Sequence, residues 1–173
     1  MVGYHKDDRR EDRLRANRVA TTTQSEVSVP YLQLDVVQRY PIEVKRSIAQ
    51  RLGCIYAEVM QTVPSKVFVA FRELAEGSLW RCGIDEPVPA AVIMCDIRRG
   101  RPAEQRARLA EALVAACVEP LALSPAALLV EFTQHAGDET FVPGRGLAAD
   151  WTPAEAQPQC GGLSISESAA IGP

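Results

Sequence analysis

Apolar residues along the chain follow two spacings, and these predict strands and helices in a regular order. Short apolar runs rich in β-forming residues cover positions 31–37, 66–74, 91–97 and 127–134. Within each pair of runs, an i, i+4 apolar stripe predicts a helix. The stripe consists of Val44, Ile48, Leu52, Ile55 and Val59 in the first helix and of Leu109, Leu113 and Cys117 in the second. The pattern therefore predicts two β-α-β units in series.

The two units are copies of one another. The segment PIEVKRSIAQRL, starting at Pro41, matches PAEQRARLAEAL, starting at Pro102, at an offset of 61 residues (102 minus 41). The same offset pairs Asp35 with Asp96 without a gap. Each copy carries a proline suited to the first helical turn, then a glutamate near the positive end of the helix dipole. An internal repeat of this kind marks the organising unit, so residues 30–75 and 90–134 form two repeats of one domain.

The repeat also predicts an uncovered sheet face. Two strands bridged by a helix are most simply parallel, with a right-handed crossover and the helix on one face. Two such units predict an α/β fold in which a four-stranded sheet carries both helices on one face. The opposite face then presents Phe68, Ala70 and Leu129 with no helix left to cover it. Burial against other subunits would cover these residues, so we expect an oligomer.

Two flanking segments lack this periodicity. Residues 1–29 mix both charge signs and end in a Thr- and Ser-rich run, and residues 152–173 are rich in Pro, Ala, Gly and Ser. We expect a disordered arm or a misannotated start before residue 30, a disordered tail after residue 151, and one domain between them.

Composition narrows the range of partners. The net charge of -3 argues against a nucleic-acid binder, which needs an excess of Lys and Arg. No apolar run approaches the roughly 18 residues of a membrane span, so we expect a cytoplasmic protein that binds no membrane. The five cysteines show no C-x-x-C spacing and are typical of buried reduced thiols. Two histidines are too few for a zinc site or a triad, and HAGDE at His135 is typical of a polar loop.

The most specific motif lies at the end of the third predicted strand. It reads Ile97-Arg98-Arg99-Gly100-Arg101, and the second helix follows directly. With the duplicated unit and the proline before the first strand, it resembles the tautomerase superfamily, and within it the cis-3-chloroacrylic acid dehalogenase group. Gly144-Arg145 and Trp151 extend the resemblance over residues 30–151. The resemblance implies a homotrimer without cofactors that catalyses proton transfer, hydration, dehalogenation or decarboxylation on small carboxylates and 2-oxo acids.

Pro30 matches the catalytic N-terminal proline of that group. A free N-terminal amine has a pKa of about 8, and nearby arginines and desolvation would lower this pKa towards neutrality. Inside the chain, however, the nitrogen is an amide without a basic lone pair, and Pro30 is then a proline that opens a strand. Two events would restore the amine: trimming of the arm, or translation that starts at a GTG codon for Val29.

The resemblance assigns Arg98 and Arg101 to the carboxylate of the substrate. Their place at a strand-to-helix junction supports this role, because guanidinium forks and the helix dipole both attract a carboxylate. The alternative is a solvated basic surface shared with Arg99, Arg106 and Arg108.

Other positions depart from the dehalogenase pattern. Tyr56 stands where those enzymes have a histidine, and Glu131 stands where they have a water-orienting tyrosine. Val142 takes the place of their water-activating acid, with Asp138 and Glu139 nearby. Tyr56 is either a core or interface residue or a catalytic one, and Glu131 either an acid/base group or a surface or intersubunit carboxylate.

Two functions follow from the sequence. The first is a cofactor-independent tautomerase-like enzyme that acts on a small carboxylate or 2-oxo/enol acid by tautomerisation, hydration or dehalogenation, with Pro30 as the base or acid. The second is a family member without proline catalysis, either a structural or binding protein or a specialised pathway enzyme that uses Glu131 and Tyr56.

Overall fold

The computed structural model describes residues 29–83 and 86–155. The first unit contains β1 (Tyr31–Val36), α1 (Ile42–Val59) and β2 (Phe68–Glu73), and the short strands β3 (Trp80–Arg81) and β4 (Val88–Pro89) follow it. The second unit contains β5 (Ala91–Arg98), α2 (Ala103–Val118) and β6 (Leu128–His135), followed by β7 (Phe141–Val142) and β8 (Gly146–Leu147). Short 3-10 turns cover Pro64–Lys66, Pro125–Ala127, Gly137–Glu139 and Pro153–Glu155.

The main sheet has the order β2-β1-β5-β6. Each β-α-β unit contributes a parallel pair, and the two units meet at the antiparallel pair β1 and β5. Gln33 and Met94, which are equivalent under the 61-residue offset, lie directly opposite each other in this pair. A local two-fold axis therefore passes between them. The predicted α/β fold with a four-stranded sheet and two helices is confirmed.

Both helices begin immediately after a proline. Pro41 and Pro102 have extended backbone conformations (φ -54° and -59°), one residue before the first helical turn in which the sequence placed them. Their carbonyls accept the N–H groups of Lys45 and Arg106, each at 3.1 Å. The missing proline N–H costs nothing at this position, because the first N–H groups of a helix have no partner within it.

The core lies between the sheet and the two helices. The predicted stripes are confirmed: Ile48, Leu52, Leu109 and Leu113 are buried, and Val44, Ile55 and Val59 pack around them. From the sheet, alternate residues of β1 and β5 reach the same core, which also contains Tyr56 and Met60 from the end of α1. These residues are Leu32, Leu34, Val36, Ile93, Cys95 and Ile97.

The opposite face of the sheet, here called the open face, is uncovered among the described residues. Phe68 is 59% exposed and Leu129 is 56% exposed, as the sequence predicted. Polar groups share this face, including an ion pair of 3.5 Å between Arg72 and Asp35. The open face thus combines apolar side chains with paired charges.

The expectation of buried thiols holds for two of the described cysteines and is wrong for two others. Cys95 and Cys117 are buried, and burial raises their pKa values to about 12 and about 11. Cys54 and Cys82 are exposed, so the expectation of buried thiols is wrong for them. Cys54 lies inside α1 as expected, but it faces away from the core. Cys160 lies outside the described residues.

The packed part of the chain extends beyond the expected boundary at Trp151. The turn Pro153–Glu155 is part of the structure and contacts the end of β5 through Glu155. Most of the expected arm and tail, residues 1–28 and 156–173, lies outside the described residues. None of the helices in the described part of the chain is long and apolar enough to cross a membrane.

Candidate active site

One edge of the sheet brings together the start of β1 and the ends of β5 and β6. Tyr31 lies opposite Asp96 in the antiparallel pair, so the register continued by one residue places Pro30 beside Ile97. On the other side of β5, Arg98 pairs with His135, the last residue of β6. This edge, here called the site edge, therefore holds several of the residues that the sequence singled out.

Pro30 is buried at the start of β1. Its exposed fraction is below 2%, and its carbonyl accepts the N–H of Phe68 at 2.9 Å. It alternates in phase with Leu32, which places its ring on the core side of the sheet. Because Val29 precedes it, its nitrogen in this chain is an amide.

Arg98 is almost fully buried and already holds a carboxylate. It is 5% exposed; its Nη1 donates to the carbonyl of Ala149 at 2.7 Å, and its Nη2 pairs with the carboxylate of Glu155. The Glu155 side chain is itself only 12% exposed. Within the described residues, the buried Nε of Arg98 has no hydrogen-bond partner. A carboxylate of the chain itself thus binds the guanidinium to which the resemblance assigns the substrate carboxylate.

Arg101 joins the end of α1 to the start of α2. It is 7% exposed, donates from Nη1 to the carbonyl of Met60, and lies 4.1 Å from the ring centroid of Trp151 in a cation–π contact. Gln105 supports the same junction by donating to the carbonyl of Val59 at 2.7 Å. These bonds satisfy carbonyls that the last turn of a helix leaves unpaired. The burial of Arg98 and Arg101 contradicts the alternative of a solvated basic surface.

Tyr56 lies in the core close to both arginines. It is 2% exposed, and burial raises its pKa well above the ordinary value of 10.0, while the charge of Arg101 acts in the opposite direction. The side chain is therefore a neutral phenol at physiological pH, which can donate a proton in a hydrogen bond but cannot act as a phenolate base.

Glu131 lies apart from the arginines within one subunit. Its side chain is exposed on the open face, and its register partner is Met94. It precedes His135 by four residues, which is roughly 13 Å along a strand. The structure does not bring Glu131 together with Tyr56, and its catalytic role remains a prediction.

The positions near the expected water-activating acid lie after β6, in the turn Gly137–Glu139 and in β7. Val142 is half-buried in β7, and Asp138 is exposed in the turn before it. Glu139 accepts the N–H of Ala136 at 2.6 Å and so caps that turn. Arg145 is exposed in the connection between β7 and β8.

Residues 148–155, here called the C-terminal segment, close over the site edge. The N–H of Trp151 donates to the carbonyl of Arg99 at 2.9 Å, and the N–H of Gly137 donates to the Asp150 carboxylate at 2.8 Å. A Cβ on Gly100, whose φ is +107°, would clash with the carbonyl of Trp151. The glycine of the R-x-G-R motif therefore allows this close approach as well as the turn.

Sequence reasoning missed two features of this edge. One is Glu155, which lay in the expected tail. The other is a polar cluster on the open face, formed by Asp96, Thr133 and His135. The Thr133 hydroxyl donates a hydrogen bond to the Asp96 carboxylate at 2.9 Å, and the same carboxylate lies 3.0 Å from Nδ1 of His135. His135 belongs to β6, which corrects its placement in a polar loop. The pairing of Asp96 with Asp35 in the repeat was the signal that could have drawn attention to this cluster.

These features define the class of fold. Two β-α-β repeats build one four-stranded sheet, two helices cover one face, and a buried arginine pair lies at the end of the third long strand. This is the fold of the tautomerase superfamily, and the resemblance seen in the sequence is confirmed at the level of fold. No family model matches the chain, and no curated protein matches it.

Solved structures with this fold span most of the described chain. N1, a member of the cis-3-chloroacrylic acid dehalogenase family, is 23% identical, with a TM-score of 0.61 over 69% of this chain and 85% of N1. Pt0534 inactivated by 2-oxo-3-pentynoate is 20% identical, with a TM-score of 0.60 over 69% of this chain and 95% of Pt0534. The wild-type fused 4-OT symmetric trimer Q0 is 20% identical, with a TM-score of 0.59 and the same two coverages.

Proposed function

We propose that this protein is a cofactor-independent tautomerase-like enzyme that acts on a small carboxylate or 2-oxo/enol acid. The observation that carries the proposal is the buried Arg98 guanidinium, which binds a carboxylate at the site edge. The likeness to Pt0534, which 2-oxo-3-pentynoate inactivates, supports a 2-oxo acid as the substrate class.

Substrate binding would exchange one carboxylate for another. The substrate carboxylate would replace Glu155 on Nη2 of Arg98, where the charge-assisted hydrogen bond is retained. Helix α2 begins two residues after Arg101 and adds the partial positive charge of its N-terminus. Arg101 would contribute chiefly through its charge, because its Nη1 binds Met60 and Trp151 covers the guanidinium.

Pro30 would supply the base or acid once it is a free N-terminus. Its position beside Ile97 places it on the strand adjacent to β5, whose last residue is Arg98. Desolvation and the two guanidinium charges would disfavour its ammonium form, so the pKa of the amine would lie near neutrality. At such a pKa the amine could both accept and donate a proton. The proposed reaction is tautomerisation, with hydration or dehalogenation as further activities.

The enzyme would work as a homotrimer. The exposed Phe68 and Leu129 on the open face provide an apolar surface that other subunits would bury, and the similar Q0 protein is a symmetric trimer. Light scattering after size exclusion would give three times the chain mass, and a monomer would contradict the proposal.

A carboxylate-binding or structural protein is the second candidate. It is favoured by two observations: the amide nitrogen of Pro30 is buried, and the C-terminal segment occupies Arg98. A specialised enzyme that uses Glu131 and Tyr56 would need Glu131 from another subunit, because the two residues are separated within one chain. The binding protein would bind small carboxylates without turnover. The specialised enzyme would turn them over, and Glu131→Gln would abolish that turnover.

Turnover of an enol acid separates these candidates. Ketonisation of phenylenolpyruvate and hydration of a 3-haloacrylate would be measured for the full chain and for a chain that starts at Pro30. We expect faster ketonisation by the chain that starts at Pro30. Arg46→Ala, which changes an exposed arginine on α1, is the control. Absence of turnover in both chains would contradict the enzyme proposal and favour the binding protein.

A further inference from the structure

We propose that His135, oriented by Asp96, is a catalytic base in the 173-residue chain. The inference rests on the proposed function, because it assigns a proton acceptor to the same carboxylate site. It concerns the chain in which Val29 is attached and the nitrogen of Pro30 is an amide with no basic lone pair.

The polar cluster sets the tautomer of His135. Asp96 is a carboxylate and therefore an acceptor, so its 3.0 Å contact with Nδ1 is a hydrogen bond when Nδ1 carries the proton. The Thr133 hydroxyl donates to the same carboxylate oxygen at 2.9 Å and holds it in place. Nε2 of the neutral ring then carries the lone pair, which is the arrangement of a general base.

The sheet register brings this base to Arg98. Arg98 and His135 are paired residues on adjacent parallel strands, so their backbones are about 5 Å apart. Asp96 and Arg98 share one face of β5, and Thr133 and His135 share one face of β6, since side chains alternate along a strand. The contacts of Asp96 with both β6 residues show that the two faces coincide. A small anion on Arg98 would therefore lie within side-chain reach of the imidazole.

Accessibility distinguishes His135 from Pro30. The side chain of His135 is 18% exposed and that of Asp96 is 44% exposed, whereas Pro30 is below 2%. Within one subunit, solvent and a small acid can thus reach the imidazole; in the proposed trimer this route requires that the end of the open face around His135 lies outside the subunit contact. The strand end itself is fixed, because the His135 carbonyl accepts the N–H of Arg99 at 2.8 Å.

The charged groups around the ring favour a proton-transfer role. Asp96 stabilises the imidazolium that forms when Nε2 accepts a proton, and Arg98 holds the substrate carboxylate close by. On its own strand, Glu131 shares the face of His135 but lies four residues away. From the C-terminal segment, Asp150 binds the N–H of Gly137. Asp96 is the positioning residue of the pair, and His135 is the residue that would touch the substrate.

The step balances without a further reactant. Nε2 takes the enol hydroxyl proton of a 2-oxo acid's enol form, and the electrons of the broken O–H bond become the second bond of the carbonyl. The electron pair of the carbon–carbon double bond takes a proton at C3 from the imidazolium, which returns to the neutral ring. The net change is the movement of one proton from oxygen to carbon.

Ketonisation of phenylenolpyruvate by the 173-residue chain tests the proposal. We compare wild type, His135→Asn, His135→Ala and Asp96→Asn, with His5→Gln as the control that removes the other histidine. General-base catalysis typically contributes at least about 100-fold, so kcat should fall by about that factor in both His135 variants. Added imidazole should restore part of the activity of His135→Ala. Asp96→Asn should lower kcat less, with little change in KM, and His5→Gln should match wild type.

Several results would overturn the proposal. One is full-chain activity that His135→Asn retains; the proposed function would then stand with another base. Another is absence of activity in the full chain, in which case the proposed function would be judged on the chain that starts at Pro30. A third is a fall in kcat that accompanies loss of the wild-type oligomer or melting temperature in both His135 variants, which would indicate a structural role. Rescue by imidazole distinguishes catalysis from structure, because a displaced subunit contact is not restored by a free base.

Discussion

In the proposed site, Glu155 would compete with the substrate carboxylate for Arg98, and Glu155→Gln would measure that competition. The substitution removes the carboxylate charge and keeps the length of the side chain. The Glu155 side chain is 12% exposed and the Arg98 side chain is 4% exposed, so solvent screens this pair little. A hydrogen bond between charged groups typically contributes about 1.5–3 kcal/mol. Since about 1.4 kcal/mol corresponds to a factor of ten, a substrate carboxylate should bind roughly 10- to 100-fold more tightly to the variant.

The assay is calorimetric titration of phenylpyruvate, a stable 2-oxo acid, into wild type and Glu155→Gln. The matched control is Glu58→Gln, which neutralises an exposed carboxylate on α1. The same substitution leaves a buried guanidinium without its counter-charge, so the free energy of unfolding should fall, by up to about 3 kcal/mol. Equal affinity in wild type and Glu155→Gln, with a folded variant, would refute the idea that Glu155 occupies the substrate position.

Three further predictions concern the stability, the core and the assembly of the protein. The N–H of Tyr40, and after it the Lys45 ammonium, lower the pKa of the Glu73 carboxyl group. The ionised carboxylate therefore stabilises the fold above the unfolded-state pKa, and this contribution is lost as the pH falls through the lowered folded-state pKa. In Glu73→Gln, the stability followed by circular dichroism should depend less on pH in the acid range. In a Cys160→Ser background, a thiol reagent should modify two cysteines in the native protein and four in denaturant, because the other two are buried; four fast reactions would contradict the core. Phe68→Glu should dissociate the oligomer in light scattering, and an unchanged mass would remove the open face from the interface.

Much of the fold could be predicted because it is repeated and periodic. The offset between Pro41 and Pro102 gave both units the same order of strand, helix and strand, and the stripes through Leu52 and Leu113 identified the core face of each helix. Local rules set these features. The antiparallel junction of the two units was not predicted, because it depends on the pairing of β1 with β5, which are separated along the chain.

The site was predictable only in its motif. Gly100 and the arginines beside it are adjacent in sequence, so their junction could be located. The carboxylate that binds Arg98 is 57 residues away, in a Pro- and Ala-rich stretch without periodicity. The bond between Asp96 and His135 likewise spans 39 residues and requires the β5–β6 register. Contacts of this kind depend on tertiary structure and leave no periodic signal.

The most direct test of the central claim is whether the proposed activity prefers an acid over its neutral ester. We would measure kcat/KM for phenylenolpyruvate and for its methyl ester in Glu155→Gln and in the double variant Arg98→Met/Glu155→Gln, a pair that avoids leaving Glu155 buried without a partner. Loss of a charge-assisted contact of about 3 kcal/mol predicts a fall of roughly 100-fold for the acid and little change for the ester. An equal acid preference in the two proteins would show that Arg98 does not bind the substrate carboxylate.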